Sequence, residues 1–169
     1  LPGQVVRAVT RRAKYILIAT DAGTAILHLG MSGSLRIVAA STPPAKWDHV
    51  DVVLANGQCL RLRDPRRFGS LLWTTSDPDR HKLLRDLGPE PLEAGFSGEH
   101  LYRQSRGRRV AARDFLLNSR VVAGIGNIYA NEALFLAGIR PGRAAGRITR
   151  ESCRQLAAAI RTTLEGAIR

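Results

Sequence analysis

Val121-Val122-Ala123-Gly124-Ile125-Gly126-Asn127-Ile128-Tyr129-Ala130-Asn131-Glu132-Ala133-Leu134 sets two glycines two apart in front of an apolar helical pattern. The glycines let the backbone turn where a side chain would obstruct it, and Asn127 stands where a new helix begins. The first N–H groups of that helix have no intrahelical acceptor and sit at the positive end of its dipole, so an anion can rest against Gly126 and Asn127. Upstream, Ala111 to Asn118 reads as a shorter helix carrying Phe115, Leu116 and Leu117. The arrangement is helix, two tight turns, helix. A dinucleotide-binding glycine loop is excluded, because Tyr129 occupies the place of a third glycine and no strand precedes the loop.

Working outward, Gln4 to Thr75 is a series of short apolar runs separated by turn residues, with expected strands at Val5–Val9, Tyr15–Ala19, Thr24–Leu29, Leu35–Ala39, Val50–Leu54, Gln58–Leu62 and Ser70–Thr74. Asp21-Ala22-Gly23 and Asn56-Gly57 are turn signals. Seven short strands predict a sandwich or barrel. Helical patterns follow: a short helix over Pro78–Leu87, another capped by Ser97, and a final one from Thr149 with Leu156, Ile160, Leu164 and Ile168 as its buried stripe. The fold class is therefore α+β, with an antiparallel β-sandwich followed by a helical domain. The expected division is residues 1–93 for the sandwich, 94–110 for a basic, glycine-interrupted linker, and 111–169 for the helical domain.

Charge selects the ligand class. Twenty-six Lys and Arg against fourteen Asp and Glu give +12 and a pI near 11.2, which points to a polyanion. Cys59 and Cys153 are far apart and form no Cys-x-x-Cys, so neither a disulfide framework nor a zinc site is expected within the chain. No apolar run approaches a bilayer span. Charge alone leaves DNA, RNA and an anionic surface open.

The run from Leu116 to Phe135 is similar to the helix-two-turn-helix signature of the formamidopyrimidine-DNA glycosylase family. Two further stretches strengthen the resemblance: His28-Leu29-Gly30-Met31-Ser32-Gly33-Ser34-Leu35-Arg36 and Asp64-Pro65-Arg66-Arg67-Phe68-Gly69. The resemblance implies a bacterial base-excision-repair enzyme, a bifunctional glycosylase and abasic-site lyase acting on 8-oxoguanine and formamidopyrimidines. An enzyme of this kind extrudes the damaged nucleotide and must fill the hole it leaves. Met31, Arg66 and Phe68 match the void-filling and base-reading trio; Lys14, His28 and Asn127, with Gly126, match the phosphate grip. The plain alternatives are a gap-filling core methionine, solvated arginines, a strand-end lysine and a sheet-edge histidine.

The chain departs from the family at its start. The family nucleophile is an N-terminal proline assisted by an adjacent glutamate, whereas here Pro2 follows Leu1 and has no free amine. No catalytic residue is therefore expected within the chain, which by the resemblance reads as a fragment with an incomplete β-sandwich, lacking the N-terminal catalytic segment and the C-terminal zinc finger. No cofactor is expected within it either, and one structural zinc in the full-length protein. Asn118 stands where the family carries Asp, and Arg113 replaces a lysine. The resemblance further implies a cytoplasmic, nucleoid-associated monomer whose partner is double-stranded DNA containing oxidised purines or abasic sites, with no membrane role. The alternatives are a non-catalytic damaged-DNA-binding remnant, an endonuclease VIII-like enzyme for oxidised pyrimidines, and a ribosomal protein.

Overall fold

The computed structural model describes residues 2–168; Leu1 and Arg169, the outer ends of the two expected domains, lie outside the described residues. Seven strands come first: β1 Ala8–Arg12, β2 Tyr15–Thr20, β3 Gly23–His28, β4 Ser34–Ala39, β5 Asp48–Val53, β6 Gln58–Arg63 and β7 Ser70–Thr74. They form two antiparallel sheets, one ordered β1-β2-β3-β7 and the other β4-β6-β5. Four helices follow: α1 Gly98–Ser105, α2 Ala112–Leu117, α3 Asn127–Leu136 and α4 Arg150–Ile168. The α+β architecture is the one expected.

Turns set the registers. Ala13 takes a left-handed φ of 53°, closing a two-residue hairpin that pairs Arg12 with Tyr15. Arg11 supports the turn by donating to the Ala13 carbonyl at 2.8 Å. With that register fixed, Ala8 meets Ala19 and β2 ends one residue later, so Val5 and Val6 fall short of the strand and stay exposed. The first strand thus lies three residues beyond the expected Val5–Val9. Asn56-Gly57 joins β5 to β6 as expected, with Gly57 at φ 79°.

Alternation on β6 gives the smaller sheet two different faces. Cys59 and Arg61 are buried on one side, where Arg61 donates twice to Asp51 at 2.8 Å and also to the Thr42 and Pro43 carbonyls at 2.8 and 3.1 Å. The carboxylate of Asp48 stands 3.6 Å from the same guanidinium. Leu60 and Leu62 on the other face line an apolar cavity of about 650 Å³, opposite Ile18, Leu27 and Leu71 of the larger sheet.

The helical unit has a continuous core of Phe96, Leu101, Phe115, Leu116, Leu134, Ile148, Leu156 and Ile160, each at most 1% exposed. Ser97 caps α1 by accepting the His100 N–H at 3.1 Å, as expected. Arg161 on α4 donates to the carbonyls of Pro91, Glu93 and Phe96, tying the entering chain to the bundle. On α4 the apolar stripe is buried through Leu156 and Ile160, half-buried at Leu164 and exposed at Ile168, because the helix outruns the core it packs on.

Two expected boundaries are corrected. Pro78–Leu87 is not a helix: only Pro78–Arg80 forms a single 3-10 turn, capped by the Asp77 side chain, and His81 leaves it in extended conformation. The two compact units divide at this point, as Leu1–His81 and Lys82–Arg169. Residues 94–110 are accordingly no linker between a sandwich ending at 93 and helices starting at 111. They hold α1, two core side chains, and basic residues already engaged: Arg106 donates to the Ile148 carbonyl and Ser105 Oγ and stacks 4.0 Å from the Tyr102 ring, and Arg108 lies over Phe115.

Candidate nucleic-acid interface

In the strand unit, Met31 sits in the turn between β3 and β4 and is 71% exposed, which rules out a gap-filling core role. Phe68, 58% exposed, lies on the loop between β6 and β7 with the Arg66 guanidinium 5.0 Å from its ring. Both apolar side chains are thus held on loop tips in contact with solvent rather than in a core. The structure brings their two loops together. A Cβ built on Gly30, which has φ 64°, would lie 2.6 Å from the Phe68 carbonyl carbon and 2.7 Å from the Gly69 nitrogen. Only glycine permits that approach.

Below the Met31 turn, His28 ends β3 opposite Tyr15, and the two rings stand 4.9 Å apart. His28 Nδ1 accepts the Gly30 N–H at 3.0 Å, so the neutral ring carries its proton on Nε2. Desolvation lowers the His28 pKa, and the charge of Lys14 lowers it further. Lys14 occupies the β1–β2 turn, an exposed residue whose ammonium is still partly withdrawn from water, and that desolvation lowers its own pKa. A neutral N–H donor and a cation side by side suit a phosphate oxygen.

In the helical unit, α3 begins at Asn127 with Gly126 as its N-cap, and no side chain caps the helix. Of the two glycines it is Gly124 that needs the left-handed region, at φ 78°; Gly126 is extended at φ −114° and contributes an unshielded backbone. Arg113 on α2 donates to Asn127 Oδ1 at 2.8 Å, which leaves the Asn127 amide nitrogen as the group to donate outward. That partnership was not legible from spacing, since fourteen residues and two turns separate the pair.

Asp64 and Ser32 also carry roles that their sequence context did not reveal. Asp64 is 2% exposed; its Oδ2 accepts the Gly69 N–H at 2.6 Å and its Oδ1 the Ser32 hydroxyl at 3.3 Å. An aspartate directly before a proline at a turn was the available signal. Among the described residues no three His, Cys, Asp or Glu side chains group as a metal-binding set, so the residues present do not supply a zinc site. Cys59 and Cys153 are both buried, and burial raises both thiol pKa values. No helix among the described residues is long and apolar enough to cross a membrane.

The profile of the formamidopyrimidine-DNA glycosylase N-terminal domain matches residues 1–71, and that of the formamidopyrimidine-DNA glycosylase H2TH domain matches residues 87–169. Formamidopyrimidine-DNA glycosylase of Alkalilimnicola ehrlichii is 55% identical over 174 residues, covering 99% of this chain and 63% of that protein. The Thioalkalivibrio sulfidiphilus protein of the same name is 56% identical over 168 residues, covering 99% and 62%. Among solved structures, the MutM (Fpg) protein of Thermus thermophilus superposes with a TM-score of 0.88 at 36% identity, covering 98% of this chain and 61% of that one. The Lactococcus lactis enzyme bound non-covalently to DNA containing an AP site gives 0.90 at 31% identity, covering 98% and 64%. The chain thus spans less than two thirds of the length of these relatives.

Proposed function

Because the chain belongs to the formamidopyrimidine-DNA glycosylase family, we propose that it forms the lesion-reading and phosphate-gripping part of a base-excision-repair enzyme that removes oxidised purines, 8-oxoguanine and formamidopyrimidines, from duplex DNA and then cleaves at the abasic site. The observation that carries this reading is the pair of adjoining loops that present Met31, Phe68 and Arg66 to solvent. Extrusion of a nucleotide costs a few kcal/mol in lost stacking. Met31 offers a flexible apolar side chain for the vacated space, Phe68 a flat wedge beside the unpaired base, and Arg66 a guanidinium for that base's hydrogen-bonding edge. Lys14, His28 and the Asn127 amide, with the Gly126 backbone, hold phosphates and bring no sequence preference. A ribosomal protein using only the helix-two-turn-helix element would leave the strand unit without a role, which disfavours that alternative.

The glycosidic bond is cleaved in this reading by an amine that attacks C1′, with the base as leaving group and a Schiff base left on the sugar. Pro2 cannot supply that amine, because its ring nitrogen is acylated by Leu1. To residues 2–168 we assign lesion-DNA binding and no nucleophile. The test is borohydride trapping on a duplex with an 8-oxoguanine:C pair and on one with an abasic site, beside a gel shift at several salt concentrations. A salt-sensitive shift that favours the abasic duplex over undamaged DNA, with no trapped adduct, is expected. A trapped adduct would overturn the non-covalent reading, and equal affinity for damaged and undamaged duplexes would overturn the wedge.

A further inference from the structure

We propose that Asp64 is a positioning residue, whose buried carboxylate locks the Met31 turn and the Arg66–Phe68 loop into one rigid reading head. The proposal rests on the wedge reading for its purpose, but its geometry belongs to the free protein. The two carboxylate oxygens divide between the loops: Oδ1 takes the hydroxyl of Ser32, next to Met31, and Oδ2 takes the N–H of Gly69, next to Phe68. The N–H groups of Arg66 and Arg67 also act on the carboxylate. Arg67 is held at φ 56°, an unfavourable conformation for a side chain that persists only where the surroundings enforce it.

The Asp64 backbone is anchored in turn. Its N–H donates to the Trp47 carbonyl at 2.9 Å, and its carbonyl accepts from His49 Nε2 at 3.0 Å and from the Arg67 N–H at 3.3 Å. A carboxylate at 2% exposure is costly unless its acceptor sites are filled. Here donors from two separate loops fill them, led by the Gly69 N–H, and they hold the carboxyl below the usual carboxylate range. The charge is thus expended on the Ser32 hydroxyl and on the backbone N–H groups of Arg66, Arg67 and Gly69, which flank Met31 and Phe68. A rigid head gives up little conformational entropy on entering DNA, which is how a residue remote from the base favours the damaged duplex.

Asp64→Asn tests this directly, because the amide keeps the shape while replacing one acceptor with a donor that faces an N–H or O–H group. Met31 is the only methionine in the sequence, so a 13C-methyl methionine label reports on that turn through a single resonance. In free protein that remains folded, with a lowered melting midpoint, Asp64→Asn is expected to shift this resonance, and Ser32→Ala to do so more weakly. The ratio of affinities for abasic and undamaged duplexes should fall about tenfold in Asp64→Asn, as for loss of a hydrogen bond to a charged group. Affinity for undamaged DNA should stay unchanged. Ser32→Ala should add nothing once Met31→Ala is present, since it acts through that turn. An unchanged methyl resonance in Asp64→Asn overturns the proposal, as does full additivity of Ser32→Ala and Met31→Ala. A changed resonance in a protein that never distinguishes the two duplexes would sustain the lock and overturn the wedge reading instead. Should Asp64→Asn fail to fold, Ser32→Ala decides through the same resonance and the same cycle.

Discussion

Replacing Gly30 by alanine places a methyl group where the structure has 2.6 Å to the nearest heavy atom, the carbonyl carbon of Phe68. Ordinary contact begins at 3.4 Å, so the Met31 turn and the Phe68 loop must separate by about 0.8 Å. The obstructing atoms are backbone, which has no rotamer with which to yield. Two costs add. A left-handed alanine costs roughly 1–2 kcal/mol, and overpacking of this kind typically a further 1–3 kcal/mol, for a total of about 2–5 kcal/mol. Gly57 supplies the matched control: its φ is 79°, but nothing lies within 4 Å of a built Cβ, so Gly57→Ala carries the conformational cost alone. Both tryptophans, Trp47 and Trp73, belong to the unit Leu1–His81, so their fluorescence follows the unfolding of that unit. At about 4–8 °C per kcal/mol for a domain of this size, Gly30→Ala should melt at least about 4 °C below Gly57→Ala. It should also lose preference for abasic-site DNA, which Gly57→Ala should retain. Equal melting shifts in the two variants would refute the claim that the loops are held at backbone contact.

Lys14→Ala should lower the slope of log affinity against log salt by about 0.9, whereas Asn127→Ala should weaken binding with the slope unchanged; titrations at several salt concentrations separate the two. Arg113→Lys keeps the charge but not the planar fork that fixes Asn127 Oδ1, so affinity for undamaged duplex should fall by about fivefold, near the net value of one hydrogen bond. His28 has a folded pKa below its unfolded one, so the unfolded chain binds more protons between those two values. Stability should therefore drop as pH falls through about 6.5, and His28→Gln should flatten that part of a melting profile taken between about pH 7.5 and 5. Leu134→Ala, at a fully buried position, should cost about 2–5 kcal/mol in chemical denaturation followed by helical circular dichroism.

The sheet and helix classes were readable because the periodicities are local. Strand pairs such as Tyr15–Thr20 with Gly23–His28 need only a turn signal between two apolar runs, and Ser97 announces α1 by its own hydrogen-bonding chemistry. What misled was burial, which depends on partners distant in the chain. Val5-Val6 looks like a strand until the Ala13 turn fixes the register, and Arg103–Arg109 looks like solvated linker until Ile148 and Phe115 come to meet Arg106 and Arg108. The candidate interface divides the same way. Met31, Phe68 and the start of α3 stand out because apolar side chains within glycine- and proline-marked turns and a glycine-led helix start are local anomalies. The Asp64–Ser32 and Arg113–Asn127 bonds span 32 and 14 residues respectively, and no local pattern reveals contacts at those spacings.

Arg61 fixes a segment that has no regular structure of its own. Through it the chain from Thr42 to Asp48 shares hydrogen bonds with the central strand of the smaller sheet. In hydrogen-exchange terms an unpaired surface loop opens with almost no free-energy cost, far ahead of the strands beside it. This loop is fastened at its carbonyls by a guanidinium that is itself held by Asp51, so detaching it means uncovering Arg61. The amides of Ala45 and Asp48, whose donors meet the Asp48 carboxylate and the Ala45 carbonyl, would exchange together with those of β6, and the loop and sheet would open as one cooperative unit.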